Sequence, residues 1–417
     1  MLIPHSEIMT TETTWIGPER HKERVMDLLR TLDVPSLREK KVLVTGGGGF
    51  FGIHLARALH MLGCTVVITD KATPIEKYNE EIKFVQGDIR DRKLMEELCK
   101  GINCVFHIAS FGMSGAEMMK KRDFIESINV GGTENVIEAC VKLNVTRLIY
   151  TSTINVVLGT REFDMATEGE LQRIPPEKHT DDYSRTKTIA EMLVLDSNGR
   201  KTQSGEVLHT SAIRPPGIYG AGEQRHFSRL MGFIKFYKAN AGSPYSKTNW
   251  VHVDNLVNGH LLAAEGLSAG KKHVAAGQAY FITDETPINN CVFFKPVFTG
   301  LGYTFPDFWI PLNVIWWLAF ISEIMHFLLK PFYDFVGFTR TEVYQLALHH
   351  TVSYQKAQQQ LGYQPVPRGL EDSVAHLRQL GYGRALQETS QTSWTSSLLF
   401  KVVLSISIIV VFIAVLL

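Results

Sequence analysis

From Lys41 onward, short runs of apolar and β-branched residues are separated by longer stretches in which apolar positions recur every three or four residues. Runs of the first kind read as strands and stretches of the second kind as helices. Strands are predicted at Lys41–Thr45, Thr65–Asp70, Lys83–Gln86, 104–108, 147–152 and 208–213, and helices at 50–62, 92–100, 124–143 and 181–197. Such alternation gives a parallel sheet covered on both faces, so the fold class expected is a doubly wound α/β sheet over residues 41–214. Beyond Arg214 the alternation gives way to Gly/Pro turns, aromatic runs and shorter helices, the pattern of a smaller substrate-covering subdomain over residues 215–386. Residues 1–40 form a polar arm with a short helical pattern at 20–32, and 387–397 is a polar spacer.

The last segment, 398–417, reads LLFKVVLSISIIVVFIAVLL, with Lys401 as its single charge. As a helix rising about 1.5 Å per residue it would reach roughly 30 Å, the thickness of a bilayer core. A C-terminal transmembrane helix is therefore expected, with Lys401 snorkelling and Trp394 at the interface. Segment 310–335 is also apolar, but Asn313, Ser322, Glu323, His326 and Lys330 interrupt it. It is expected to lie in the membrane interface as an amphipathic helix. Residues 1–40 hold no continuous apolar core of the kind a signal peptide needs. The membrane is thus an expected partner, with the catalytic domain cytosolic and the endoplasmic reticulum its membrane.

Composition narrows the classes further. With 43 basic and 42 acidic side chains the chain has no basic excess with which to neutralise a nucleic acid. The cysteines Cys64, Cys99, Cys104, Cys140 and Cys291 are scattered and form no CxxC pair. That spacing speaks for a reducing compartment and against a disulfide framework or a zinc site, and no metal is expected. The sequon Asn144-Val-Thr146 falls at a helix-to-strand junction and reads as structural.

Chemistry enters with KVLVTGGGGFFG, where glycines join the first strand to the first helix. There the backbone can approach a pyrophosphate, and the helix N-terminus favours its charge. Two glycine registers fit, one opening at Gly46 and one at Gly47. Asp70 ends the second strand, where a carboxylate binds a ribose diol and repels a 2′-phosphate, so NAD is the expected cofactor; Lys71 beside it works against that preference. Asp88, before Ile89, is placed to accept from an adenine amino group. Tyr183 and Lys187 are one helical turn apart. A free phenol titrates near about pH 10, and a neighbouring ammonium favours its ionised form. Tyr183 could then take the proton of a substrate hydroxyl as hydride leaves. Ser152 and Thr153, at the end of the fifth strand, face opposite sides, so one of them points at the cleft.

These segments resemble the extended short-chain dehydrogenase/reductases, specifically the 3β-hydroxysteroid dehydrogenase/isomerase branch and within it family 42E. The likeness runs from Lys41 to about Arg384. It is carried by VLVTGGGGFFG, ITDKATP, FVQGDIRD, CVFHIASFGMSG, INVGGTENVIEAC, RLIYTSTINVV, YSRTK, RPPGIYGAGEQRH, WVHVDNLVNGHLLA, FTRTEVY and LGYQP. The resemblance implies a Rossmann-type sheet and selects the register with Gly46, Gly49 and Gly52. It implies cofactor contacts from Phe50, Phe51, Asp70, Lys71, Asp88, Ile89, Ala109, Lys187 and Pro215. It makes Tyr183 the general acid/base and Lys187 its partner and ribose ligand. Asn129 corresponds to the helix asparagine that maintains a proton-relay water. Thr153 stands where the family has a catalytic serine, with Ser152 the fallback. The implied reaction interconverts a secondary alcohol and ketone on a steroid or sterol-like substrate, and a homodimer is allowed. Two rivals remain: a nucleotide-sugar epimerase or dehydratase, and a catalytically idle dinucleotide-binding scaffold.

Overall fold

The computed structural model describes residues 18–74, 81–112, 122–329 and 339–383. Seven strands, β1 (Lys41–Thr45), β2 (Thr65–Asp70), β3 (Lys83–Gln86), β4 (Cys104–His107), β5 (Arg147–Thr151), β6 (His209–Arg214) and β7 (Gln278–Phe281), form one sheet. Their order is β7-β6-β5-β4-β1-β2-β3, and each neighbouring pair is parallel.

The helices are α1 (Pro18–Thr31), α2 (Phe50–Met61), α3 (Arg92–Leu98), α4 (Arg122–Glu126), α5 (Thr133–Lys142), α6 (Asp182–Asp196) and α7 (His226–Phe233). They continue with α8 (Val253–Gly266), α9 (Lys295–Gly300), α10 (Leu312–Leu329), α11 (Arg340–Ala347), α12 (Gln355–Leu361) and α13 (Glu371–Gln379).

Alternation along each strand decides which layer a side chain joins. Val42, Val44, Val66, Ile68, Cys104 and Phe106 pack with α1, α2 and α8 on one face. Leu43, Val67, Val105, Leu148 and Tyr150 pack with α3, α5 and α6 on the other. The polar arm contributes to the first layer: Val25, Leu28 and Leu29 of α1 are buried, and Arg24 pairs with Asp254 at 3.6 Å and with Asp372.

The sheet runs past residue 214, since β7 closes its edge beside β6. A second cluster, with Tyr219, Phe227, Trp250, Phe293, Phe298 and Val374, forms the smaller lobe over the C-terminal ends of the strands.

One expectation is corrected. Among the described residues no helix is long and apolar enough to cross a membrane, so the expected spanning helix is not part of the described architecture, which is the doubly wound sheet with its covering lobe. Segment 398–417, on which the spanning helix was expected, lies outside the described residues, as does the spacer 387–397. Within 310–335, α10 buries Ile315 and Ala319 against Val343 of α11 and pairs Glu323 with Arg340 at 2.8 Å. The polar residues that interrupt its apolar run thus include a docking contact. Its opposite face leaves Trp317, Ile324, Phe327 and Leu328 exposed.

Candidate active site

The order of the strands reverses between β1 and β4, and there the loops leave a crevice at the carboxyl ends. The stretch from β1 into α2 needs glycine for packing at Gly46, Gly47 and Gly52, where an added Cβ would meet a neighbour closer than 3.0 Å. A Cβ on Gly46, whose φ is +72°, would stand 2.7 Å from the backbone of Ala109, and one on Gly52 would stand 2.2 Å from the Gly46 oxygen. Gly49 differs: a Cβ there would meet only the Gly46 oxygen, at 3.6 Å. Its bareness serves the crevice and not the protein's own packing, which fits a pyrophosphate drawn onto the N-terminus of α2.

At the end of β2, Asp70 accepts from Gly48 N at 3.0 Å and from Ala72 N at 3.1 Å. Lys71 turns away to Asp88, 3.4 Å distant. Asp88 is also gripped by Arg90 at 2.6 Å, which holds its carboxyl down at about 2. Lys71 is therefore paired with Asp88, which leaves the Asp70 carboxylate at the end of β2 facing the crevice without it. The residues fit NAD. Ile89 and Ala109 line the same crevice, as do Phe50 and Phe51, whose second ring is braced on His260 at 4.6 Å.

Thr153 is extended just beyond β5 (φ −160°), so alternation sends Ser152 and Thr153 to opposite sides. The hydroxyl of Thr153 lies on the side of the Tyr183 phenol and helps hold the phenol's pKa down against burial. Ser152 instead donates to Glu191 at 2.6 Å, behind the cleft. The sequence left this choice open between two neighbouring hydroxyls, and Thr153 is the one beside the phenol.

Lys187 is buried and donates from Nζ to Thr151 O at 2.6 Å, with Nζ 4.2 Å from the centre of the Tyr150 ring. Burial pushes its ammonium down to about 7, Glu191 opposes the shift, and Arg225 adds to it. Burial also raises the Tyr183 phenol, while Arg225 pulls it back. Pro215 accepts from Ile154 N at 2.9 Å and lines the cleft beside Thr153.

Asn129 sits in a π-helical turn, Ser127–Gly132, between α4 and α5. Its carboxamide accepts from Phe111 N at 2.7 Å and donates to Phe111 O at 2.9 Å and to Thr186 Oγ1 at 3.0 Å. It thereby ties the β4 loop to α6 between Tyr183 and Lys187. A buried chain extends this support: Thr45 Oγ1 lies 2.7 Å from His107 Nδ1, and His107 Nε2 lies 2.9 Å from Thr133 Oγ1.

Gly46, Gly49, Asp70, Asp88, Thr153, Tyr183, Lys187 and Pro215 all line one cavity of about 1210 Å³. Small-ligand pockets run to roughly 300–1,000 Å³, so this one has room for a dinucleotide and a second molecule. Its far wall is largely apolar, with Phe233, Tyr237, Phe294, Phe298 and Leu346. Reasoning from sequence did not find Glu191, Arg214 and Arg225. For Glu191 a signal existed in its place one helical turn beyond Lys187; for the other two it lies in the tertiary structure.

A glycine turn at the switch point, joined through one cavity to a hydroxyl, a phenol and a buried ammonium, defines a dinucleotide-dependent oxidoreductase. The chain belongs to the 3-beta hydroxysteroid dehydrogenase/isomerase family, whose sequence profile matches residues 43–313. It is an NAD-dependent enzyme of the extended short-chain dehydrogenase/reductase type.

It is 45% identical over 384 residues to short-chain dehydrogenase/reductase family 42E member 1 of Mus musculus, covering 90% of this chain and 97% of that protein. It is 31% identical to 3beta-hydroxysteroid-dehydrogenase/decarboxylase isoform 1 of Arabidopsis thaliana, over 89% of this chain and 87% of that one. Among solved structures, a dTDP-glucose 4,6-dehydratase from Streptomyces venezuelae with NAD bound superposes with a TM-score of 0.61 at 20% identity. That alignment covers 81% of this chain and 96% of the other, and at such identity the likeness is one of fold.

Proposed function

We propose that the enzyme interconverts a secondary alcohol and a ketone on a steroid or sterol-like molecule. The observation that carries this reading is the Tyr183–Thr153 hydroxyl pair opening on a large cavity whose far wall is apolar and aromatic. Bound NAD(H) supplies the hydride acceptor or donor. Thr153 orients the substrate oxygen, and Tyr183 takes the alcohol proton or returns it to the forming alkoxide. The Lys187 ammonium favours the phenolate and would hold the ribose of the bound cofactor. Asn129 keeps the β4 loop and α6 in register around these groups. The test is a panel of 3β-hydroxysteroids and sterols incubated with enzyme and NAD. NADH absorbance should rise with at least one of them. An epimerase would turn over a nucleotide sugar with no net NADH, and that outcome would replace this reading.

Two features bear on where the enzyme works. The five cysteines are free and buried, as suits the cytosolic side, and we place the catalytic domain there, against the endoplasmic reticulum. The exposed apolar face of α10 is the part of 310–335 that suits a lipid surface, the phase into which such substrates partition.

A further inference from the structure

Behind the cleft lies a buried carboxylate for which the chemistry above has no use. Glu191 sits on α6 with no side-chain exposure. Its Oε2 accepts from Ser152 Oγ at 2.6 Å and from Arg214 Nε at 2.9 Å, and its Oε1 accepts from Arg214 Nη2 at 2.6 Å. Arg173 approaches Oε1 at 3.5 Å from the outside. Ser152 immediately precedes Thr153, Arg214 immediately precedes Pro215, and Glu191 follows Lys187 by one helical turn. The end of β5, the catalytic helix and the end of β6 therefore meet at one side chain.

We propose that Glu191 is a positioning residue of the catalytic centre, holding Thr153, Lys187 and Pro215 in register and supplying the negative field in which Lys187 stays an ammonium. The surroundings of Lys187 give the second half of this its force. The groups that face it are Thr151 O and the Tyr150 ring from β5, His107 from β4 and Arg225 from the loop before α7. None of these is a carboxylate. His107 is held neutral by burial, and the Arg225 guanidinium disfavours a second cation. Glu191 is the group that favours the charged form against burial and Arg225. A bidentate Arg214 pair and the Ser152 hydroxyl fix its orientation.

The inference rests on the Tyr183/Lys187 chemistry proposed above. A tie that served folding alone would lower thermal stability and leave the pH dependence of the reaction unmoved. Glu191→Gln keeps the shape and removes the charge. Without that charge Lys187 loses its proton at lower pH, so the alkaline limb of kcat should move downward. On whichever 3β-hydroxysteroid the panel yields, kcat should fall by about tenfold or more, with KM changed by less than about threefold. Ser152→Ala, which keeps the ion pair, should lower kcat only a few-fold. The pH dependence of NADH affinity, read by fluorescence, needs no substrate, and its alkaline limb should move the same way. If Glu191→Gln melts at a lower temperature but keeps wild-type kcat and both pH limbs, Glu191 is a structural tie and the proposal fails. Should Glu191→Gln not fold, Ser152→Ala decides, and unchanged kcat there overturns the proposal. If wild type oxidises no alcohol of the panel, the substrate reading fails; the NADH limb then judges Glu191 separately.

Discussion

Ser152 and Thr153 are adjacent hydroxyls with separate surroundings: one is bonded to the Glu191 carboxylate, the other lies beside the Tyr183 phenol. Thr153→Ser keeps the hydroxyl and should leave turnover within a few-fold of wild type. Thr153→Val keeps the shape without it and should lower kcat by roughly 10²-fold, the scale of a lost positioning hydrogen bond in a transition state. Equal activity in Thr153→Val and wild type would remove Thr153 from the mechanism. At the other end of the cavity, Asp70 should make NADH bind more tightly than NADPH, and Asp70→Asn should narrow the gap by weakening the repulsion of a 2′-phosphate. Fluorescence titration of both cofactors checks it; tighter NADPH binding by wild type would contradict it. Gly46, Gly52, Asp70, Tyr183 and Lys187 were legible because their spacing in the chain is itself the chemistry. Glu191 and Arg214 were not. The place of Glu191 one helical turn beyond Lys187 was the single local sign; its bonds to Arg214 and Ser152 span 23 and 39 residues, so those partners leave no local pattern.

At the scale of elements, the first three strands fall where alternation predicts them, and the next three differ by one residue at one or both ends. The seventh strand was missed because Gln278–Phe281 is only four residues long and follows a helix with no amphipathic stripe. All of α8 is buried, including Asp254, Asn255, Asn258 and His260, so its polar residues point inward and the apolar period is lost. The helix predicted over 124–143 is interrupted by the π turn at Ser127–Gly132, which holds Asn129; such turns often mark functional positions. The apolar face of α10 gives a prediction at this scale. Trp317→Asp with Phe327→Asp should reduce co-sedimentation with phosphatidylcholine/phosphatidylserine vesicles while leaving NADH affinity unchanged. Unaltered co-sedimentation would exclude that face as a lipid contact.

For the whole molecule, buried histidines couple stability to pH. Burial pushes His107 down to about 3 and His260 to about 4. Unfolded, each takes a proton near about pH 6.5, so between that pH and the folded values the unfolded chain binds more protons and stability falls as pH drops. The loss is about 1.4 kcal/mol per pH unit for each group within that window. Asp284 and Glu168, both raised by burial, oppose part of it. Melting temperature should therefore fall from pH 7 to pH 5, and His107→Gln should make the fall smaller. An identical fall in the variant would mean that His107 does not titrate in this way.

The claim on which the account turns is that Tyr183 moves the substrate proton while hydride passes to or from NAD. The direct measurement is NADH formation by wild type and Tyr183→Phe on the 3β-hydroxysteroid the panel identifies, with NADH affinity measured alongside. Tyr183→Phe should lose roughly 10²–10⁴-fold in kcat, the range for a missing general acid/base, while binding NADH nearly as wild type does. Wild-type turnover by Tyr183→Phe would contradict the mechanism.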